Sequence, residues 1–347
     1  MWHNRRAGAQ FPVIVIPLRA AVVTALILLS PCAAAATAGA VAQPPCLLGP
    51  GAHAAVAHLR EALAHARFIA YEPTSLRVVD GRVTDADAVS IRADLLQLRE
   101  RFDALITYDA IHGAQQIPAI AAELKFRALT IGVWDPTDEA QVAAALDAAR
   151  RFPQLIAGIS LGNELLFAHR SDPARLIALI ARVRARAPAV ALSTTEPFHI
   201  YDDPAAAQVL ARLDFVLLNV HPVFQPWFQD APSSAAAQFV VNVVAKLAPR
   251  ACGPLLVKET GVPTGPESAG FSEARQAAFY RELRRSFSPS TTQAFAYFAA
   301  FDAPWRAYDA TGVPGAPAVH PEEAHWGLYD EARHPKAAAR ELTALPR

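Results

Sequence analysis

Short apolar runs alternate with amphipathic stretches of helix length from about residue 53 to the C-terminus. The runs are Phe68–Tyr71, Ala104–Tyr108, Arg127–Val133, Leu155–Leu161, Ala189–Ser193, Phe215–Val220, Leu255–Glu259 and Ala294–Ala300. They are mostly apolar, short and bounded by polar or proline-containing turns. That pattern predicts strands buried on both faces of a parallel sheet. Helical periodicity fills the gaps. Ala86–Phe102 carries Val89, Ile91, Leu95, Leu96 and Leu98 as an apolar stripe. Further helices are expected near 117–125, 139–151, 172–186, 204–213, 235–247, 272–287 and 335–344. Capping residues mark several starts: Thr137 before Asp138-Glu139, Ser171-Asp172, Ser234 before Ala235 and Ser272 before Glu273.

Eight strand–helix units in strict alternation predict one α/β domain, a closed (β/α)8 TIM barrel. An open doubly wound sheet would want a glycine-rich phosphate turn after its first strand. The first strand here runs into Ala70-Tyr71-Glu72-Pro73, without such glycines. An additional helix at about 54–66 precedes that strand, in position to close the barrel floor. No linker, repeat or second domain is visible.

The N-terminus reads as a targeting segment. Arg5, Arg6 and Arg19 precede the apolar run Ala20–Leu29, and Ala40-Val41-Ala42 offers a small-residue cleavage site before Gln43. The competing reading is an uncleaved anchor, because Ala20 to Ala42 is uncharged and long enough to span a bilayer. Residues 1–42 are thus expected to be a signal peptide or N-terminal membrane anchor, and 43–347 the barrel domain. Either reading puts the barrel outside the cytoplasm, in the periplasm or beyond, free or held at the inner membrane.

The chain has 347 residues, a length that suits one large barrel. Its 32 basic residues balance 32 acidic ones. That balance gives no electrostatic reason to expect nucleic acid or an anionic membrane surface as partner. Membrane association is expected through the N-terminal segment alone. Cys32 lies in the export segment, which leaves Cys46 and Cys252 either as one disulfide in an oxidising compartment or as two unrelated thiols. No CxxC or HExxH motif is present, and His199, His221 and His325 lack ligand spacing, so no metal or cofactor is expected.

Barrel enzymes place their chemistry at the C-terminal ends of the strands. Those ends read Tyr71-Glu72, Thr107-Tyr108-Asp109, Trp134-Asp135, Gly162-Asn163-Glu164, Thr194-Thr195-Glu196, His221-Pro222, Glu259-Thr260-Gly261 and Phe301-Asp302. Carboxylates, amides and aromatics together suit sugars, whose C–H faces stack on rings and whose hydroxyls exchange hydrogen bonds. Glycoside cleavage needs one carboxylic acid to protonate the leaving oxygen and a second carboxylate to attack the anomeric carbon or activate water. Glu164 ends the fourth strand and Glu259 the seventh, so the two can face one another across the mouth. Asn163 is placed to bond the sugar 2-hydroxyl. A lone strand-end glutamate more often caps a helix or pairs with an arginine, and Tyr71, Tyr108 and Trp134 taken singly are as readily packing residues. The pair of glutamates in Gly-Asn-Glu and Lys-Glu-Thr-Gly contexts favours catalysis.

Ile159-Ser160-Leu161-Gly162-Asn163-Glu164 and Val257-Lys258-Glu259-Thr260-Gly261-Val262-Pro263 resemble the two glutamate motifs of glycoside hydrolase family 17. Ser193-Thr194-Thr195-Glu196-Pro197, Phe301-Asp302-Ala303-Pro304-Trp305 and Glu323–Asp330 are similar too, and the resemblance spans most of residues 67–338. It implies Glu164 as acid/base, Glu259 as nucleophile and a β-1,3-linked or related glucan as substrate. Tyr71, Tyr108, Trp134, Asn163, Thr195, Glu196, His221, Asp302, Trp305 and Trp326 are the expected substrate contacts. The chain departs from the family pattern at Val262, usually tryptophan, which predicts the loss of a stacking platform. It departs again at Ala299 and Ala303, usually polar, and at Arg306, usually lysine. The expectation is a retaining hydrolase or transglycosylase acting on an oligo- or polysaccharide. Its rivals are a degenerate barrel that binds glycans without cleaving them, and a retaining glycosidase for another polysaccharide such as mannan or galactan.

Overall fold

The computed structural model describes residues 45–79, 82–307 and 320–345. The expected export segment 1–42 and Cys32 lie outside these residues. Eight parallel strands close into a barrel: Phe68–Ala70, Ala104–Ile106, Ala128–Val133, Ile156–Asn163, Leu192–Pro197, Val216–Asn219, Leu255–Glu259 and Gln293–Tyr297. The ring closes where Phe68 pairs with Ala296 of the eighth strand and with Ala104 of the second. A helix follows each of the first seven strands, as the alternation predicted.

Two apolar layers hold the barrel. One lies inside it, where Phe68, Phe215, Leu217 and Leu256 fill a ring of alanines at 104, 128, 157, 191, 294 and 296. The helix His53–His65 plugs the lower opening with Leu59, Ala62 and Leu63, so it does close the floor. The other layer lies between strands and outer helices. Only part of the expected stripe on the second helix, Ala88–Arg99, enters it. Ile91, Leu95 and Leu98 are buried, whereas Val89 and Leu96 are 76% and 52% exposed and face solvent.

The fifth strand starts at Leu192 rather than at 189, and the eighth ends at Tyr297 rather than at 300. Beyond Tyr297 the backbone leaves the barrel to bond the C-terminal segment, with Ala299 N–H donating to the Trp326 carbonyl. Asp138, rather than the expected Thr137, caps its helix through a side-chain oxygen, as do Asp172 and Ser272. Ser234 does not act as a cap, because that helix starts at Ser233 behind Pro232. Cys46 and Cys252 form a disulfide with Cα atoms 5.7 Å apart, fastening the N-terminal segment beside the start of the seventh strand.

Candidate active site

The fourth strand delivers Glu164 through a sharp turn. Gly162 has φ +87°, and a Cβ there would meet Leu165 Cδ1 at 2.3 Å, so only glycine fits. Glu164 itself sits at φ +56°. Such a conformation persists only where its surroundings enforce it. Here the Glu164 N–H donates to the Thr195 carbonyl at 2.7 Å, and Arg170 donates to the Asn163 carbonyl at 2.6 Å. The buried Glu196 carboxylate accepts the N–H groups of Leu166 and Phe167 at 2.9 and 3.1 Å. The turn is therefore fastened to the fifth strand along its length.

Glu259 ends the seventh strand, 2% exposed. Its Oε2 lies 3.3 Å from His221 Nε2 and its Oε1 3.2 Å from Lys258 Nζ. Burial works against its ionised form, but the Lys258 ammonium and then His221 outweigh it, holding the carboxyl below the usual carboxylate range. Asn219 stands in register beside Glu259 and donates through Nδ2 to Glu164 Oε1 at 2.9 Å. Lys258 Nζ also donates to Asn163 Oδ1 at 2.6 Å. Asn219 and Lys258 thus tie the neighbourhoods of the two glutamates together at the mouth.

Aromatic rings wall this centre. Tyr108, Phe298, His221 and Trp326 meet edge to face, and Phe224 extends the group outward at 50% exposure. Among the described residues, Asn163 Nδ2, Asn219 Oδ1, His221 Nδ1 and Trp326 Nε1 are buried without a hydrogen-bond partner. Buried polar atoms are normally paired. A cluster of unpaired donors and acceptors around two carboxylates is suited to the hydroxyls of a sugar.

Several expected contacts lie elsewhere. Tyr71 is fully buried in the strand–helix layer, its hydroxyl donating to Asp94 at 2.8 Å, so it is a packing residue outside the cleft. Thr195 is fully buried and pairs with the Ser160 hydroxyl at 3.0 Å. Glu196 is committed to the turn after Glu164. Asp302 bonds Lys336 and the Gly327 N–H, anchoring the C-terminal segment. Trp134 is half-buried under the Arg170 guanidinium on the rim. Trp305 lines a recess with Tyr108, Ala299, Ala303 and Arg306, where Arg306 pairs with Glu72. The two alanines that replace polar residues of the family pattern border this recess. Val262 is fully buried in the strand–helix layer. Asn219, Lys258 and Phe224 went unrecognised in the sequence. Asn219 and Lys258 are polar interruptions of otherwise apolar strands, a signal that was available.

An eight-stranded parallel barrel with paired glutamates at the ends of its fourth and seventh strands has the architecture of a barrel glycoside hydrolase. Residues 69–327 match the BtgE/BtgC glycoside hydrolase domain, and the chain belongs to that family. The glucan 1,3-beta-glucosidase of Arthroderma benhamiae is 28% identical over 265 residues, covering 72% of this chain and 84% of the relative. Among solved structures, the family 17 β-1,3-glucanosyltransferase of Rhizomucor miehei superposes with TM-score 0.57 at 19% identity, over 78% of this chain and 95% of that one. An endo-laminarinase from Formosa gives 0.58 at 18% identity, over 76% and 83%. At these identities the two structures are alike in fold.

Proposed function

We propose that the protein cleaves or transfers β-1,3-linked glucan by a retaining mechanism, with Glu259 as nucleophile and Glu164 as acid/base. The surroundings of Glu259 carry this reading. Glu259 touches an ammonium and an imidazole, which favour the ionised form that a nucleophile needs. Glu164, at the end of the fourth strand and across the mouth from Glu259, accepts from the Asn219 amide and stands where the acid/base belongs. Attack by Glu259 on the anomeric carbon breaks the glycosidic bond as Glu164 donates its proton to the departing oxygen. Water or a second sugar then resolves the glycosyl-enzyme, with Glu164 taking back a proton. Asn163 Nδ2 is suited to donate to the 2-hydroxyl. Tyr108, Trp326 and His221 would line the bound unit, with Trp134 and Trp305 on the rim. The relative from Arthroderma supports the substrate class.

Action outside the cytoplasm is part of the proposal, with residues 1–42 as the export segment or anchor and 43–347 as the catalytic domain. The Cys46–Cys252 disulfide supports it, since such bonds persist in oxidising compartments. No helix among the described residues is long and apolar enough to cross a membrane.

The test is release of reducing sugar, or elongation of oligosaccharides, on laminarin. Glu259→Gly and Glu164→Ala should both abolish turnover of laminarin. On an activated aryl β-laminaribioside, whose leaving group needs no acid, azide should restore turnover with opposite product anomers in the two variants. Binding of laminarin by a wild-type protein that neither cleaves nor elongates it would make the barrel a glycan binder and refute the reading.

A further inference from the structure

Beneath the cleft, the seventh strand carries an amine in place of another apolar side chain. Leu256 points into the barrel interior and Val257 outward to the helices, so strand alternation turns Lys258 inward. Its side chain is 1% exposed, and burial pushes the amine below the ordinary lysine range while the Glu259 charge pulls it back up. Nζ lies 2.6 Å from Asn163 Oδ1, 3.2 Å from Glu259 Oε1 and 3.9 Å from the centre of the Tyr108 ring. An ammonium has three donors and no acceptor. Two oxygens and the negative face of a ring match that inventory, whereas a neutral amine would turn a lone pair on one of them.

The same contact orients Asn163. Lysine can only donate, so it takes Oδ1 and leaves Nδ2 as the free end of the amide. We propose that Lys258 is a positioning residue: its ammonium keeps Glu259 ionised and fixed in one rotamer, and turns Asn163 so that Nδ2 meets the sugar 2-hydroxyl. The proposal rests on the glycoside hydrolase roles given to Glu259 and Asn163. Other charged or titratable groups face this pair: His221 from the sixth strand end, Glu164 from the fourth, Glu72 from the first, Tyr108 from the second, and Arg306 and Glu323 beyond the eighth. Arg306 is already paired with Glu72, so it does not duplicate Lys258.

The variants Lys258→Met and Lys258→Arg test the role, with wild type measured on laminarin and on an aryl β-laminaribioside and its 2-deoxy analogue. In folded Lys258→Met the acid limb of the kcat/KM profile should move up by about 1–3 pH units, because the carboxylate loses its adjacent cation. The preference for the 2-hydroxy substrate should fall about tenfold, the worth of one well-placed hydrogen bond. Lys258→Arg should keep the acid limb near the wild-type position. A purely structural role would lower thermal stability and leave limb and preference where they are; that result in a folded Lys258→Met protein overturns the proposal. If Lys258→Met does not fold, ¹⁵N-lysine NMR on wild type and Glu259→Gln decides. An Nζ signal that stays ammonium to pH 8 in wild type and loses its proton at lower pH in Glu259→Gln supports the pairing, and a neutral amine at pH 7 in wild type refutes it. Failure of wild type on laminarin would instead strike the hydrolase reading, and the NMR outcome would still decide the state of Lys258.

Discussion

Glu196 makes the stability of this barrel depend on pH in a direction unusual for a carboxylate. Burial pushes its carboxyl up from 4.5 to about 7, against the N–H groups of Leu166, Phe167 and Leu165 and the charge of Arg170, which pull it down. The folded protein therefore binds a proton that the unfolded chain has released between those two values. Stability from this group is complete below pH about 4.5 and is lost as pH rises through about 7. The rise from 4.5 to about 7 corresponds to a loss of about 3 kcal/mol. Glu196→Gln has the shape of the protonated form and cannot ionise, so its profile should lack this fall. Urea unfolding from pH 4.5 to 8, with the disulfide kept oxidised, measures the difference between wild type and variant at each pH. That difference should shift by about 3 kcal/mol in favour of the variant across the window. Parallel profiles would refute the reasoning, as would a wild type that gains stability relative to Glu196→Gln as pH rises. Glu196→Ala goes further and removes both acceptors of the turn that carries Glu164. A misplacement of about 1 Å there is enough to lower kcat/KM by about 100-fold, with far-UV circular dichroism unchanged.

Three further outcomes are expected. Tyr71→Phe removes one hydrogen bond to Asp94, so urea unfolding should report a loss of about 1 kcal/mol, while KM stays at the wild-type value because the ring lies outside the cleft. Gly162→Ala must hold φ +87° with a Cβ against Leu165, which should cost about 1–3 kcal/mol and depress kcat/KM by disturbing Glu164; differential scanning calorimetry and initial rates on laminarin check both. Cys46→Ser opens a loop closed over 206 residues and should lower stability by about 2–4 kcal/mol, and wild type in reductant should show the same fall in unfolding midpoint.

The barrel was legible because its code is local. Eight apolar runs separated by amphipathic stretches allow few arrangements that bury both faces of every strand, and the closed parallel sheet satisfies all of them at once. The positions of Glu164 and Glu259 followed, since a strand end in such a barrel is already a place in space. Which strand-end side chains enter the cleft was a different question. Tyr71 and Glu196 end strands as Tyr108 and Asn163 do, yet turn into the outer layer or the adjoining turn. One residue of twist or register reverses a side chain's face, and the register shifts between Ser160 and Asn163 and between Leu218 and Asn219 fall at the site itself. Cys46 and Cys252 were a possible pair in sequence and became a bond only when the fold brought the N-terminal segment to the seventh strand. Lys258 shows the division most clearly. In sequence it is one charge among apolar neighbours. The barrel's closure sets it beside Asn163 from the fourth strand and Tyr108 from the second, because contacts across a ring of strands depend on tilt and stagger that no single segment encodes.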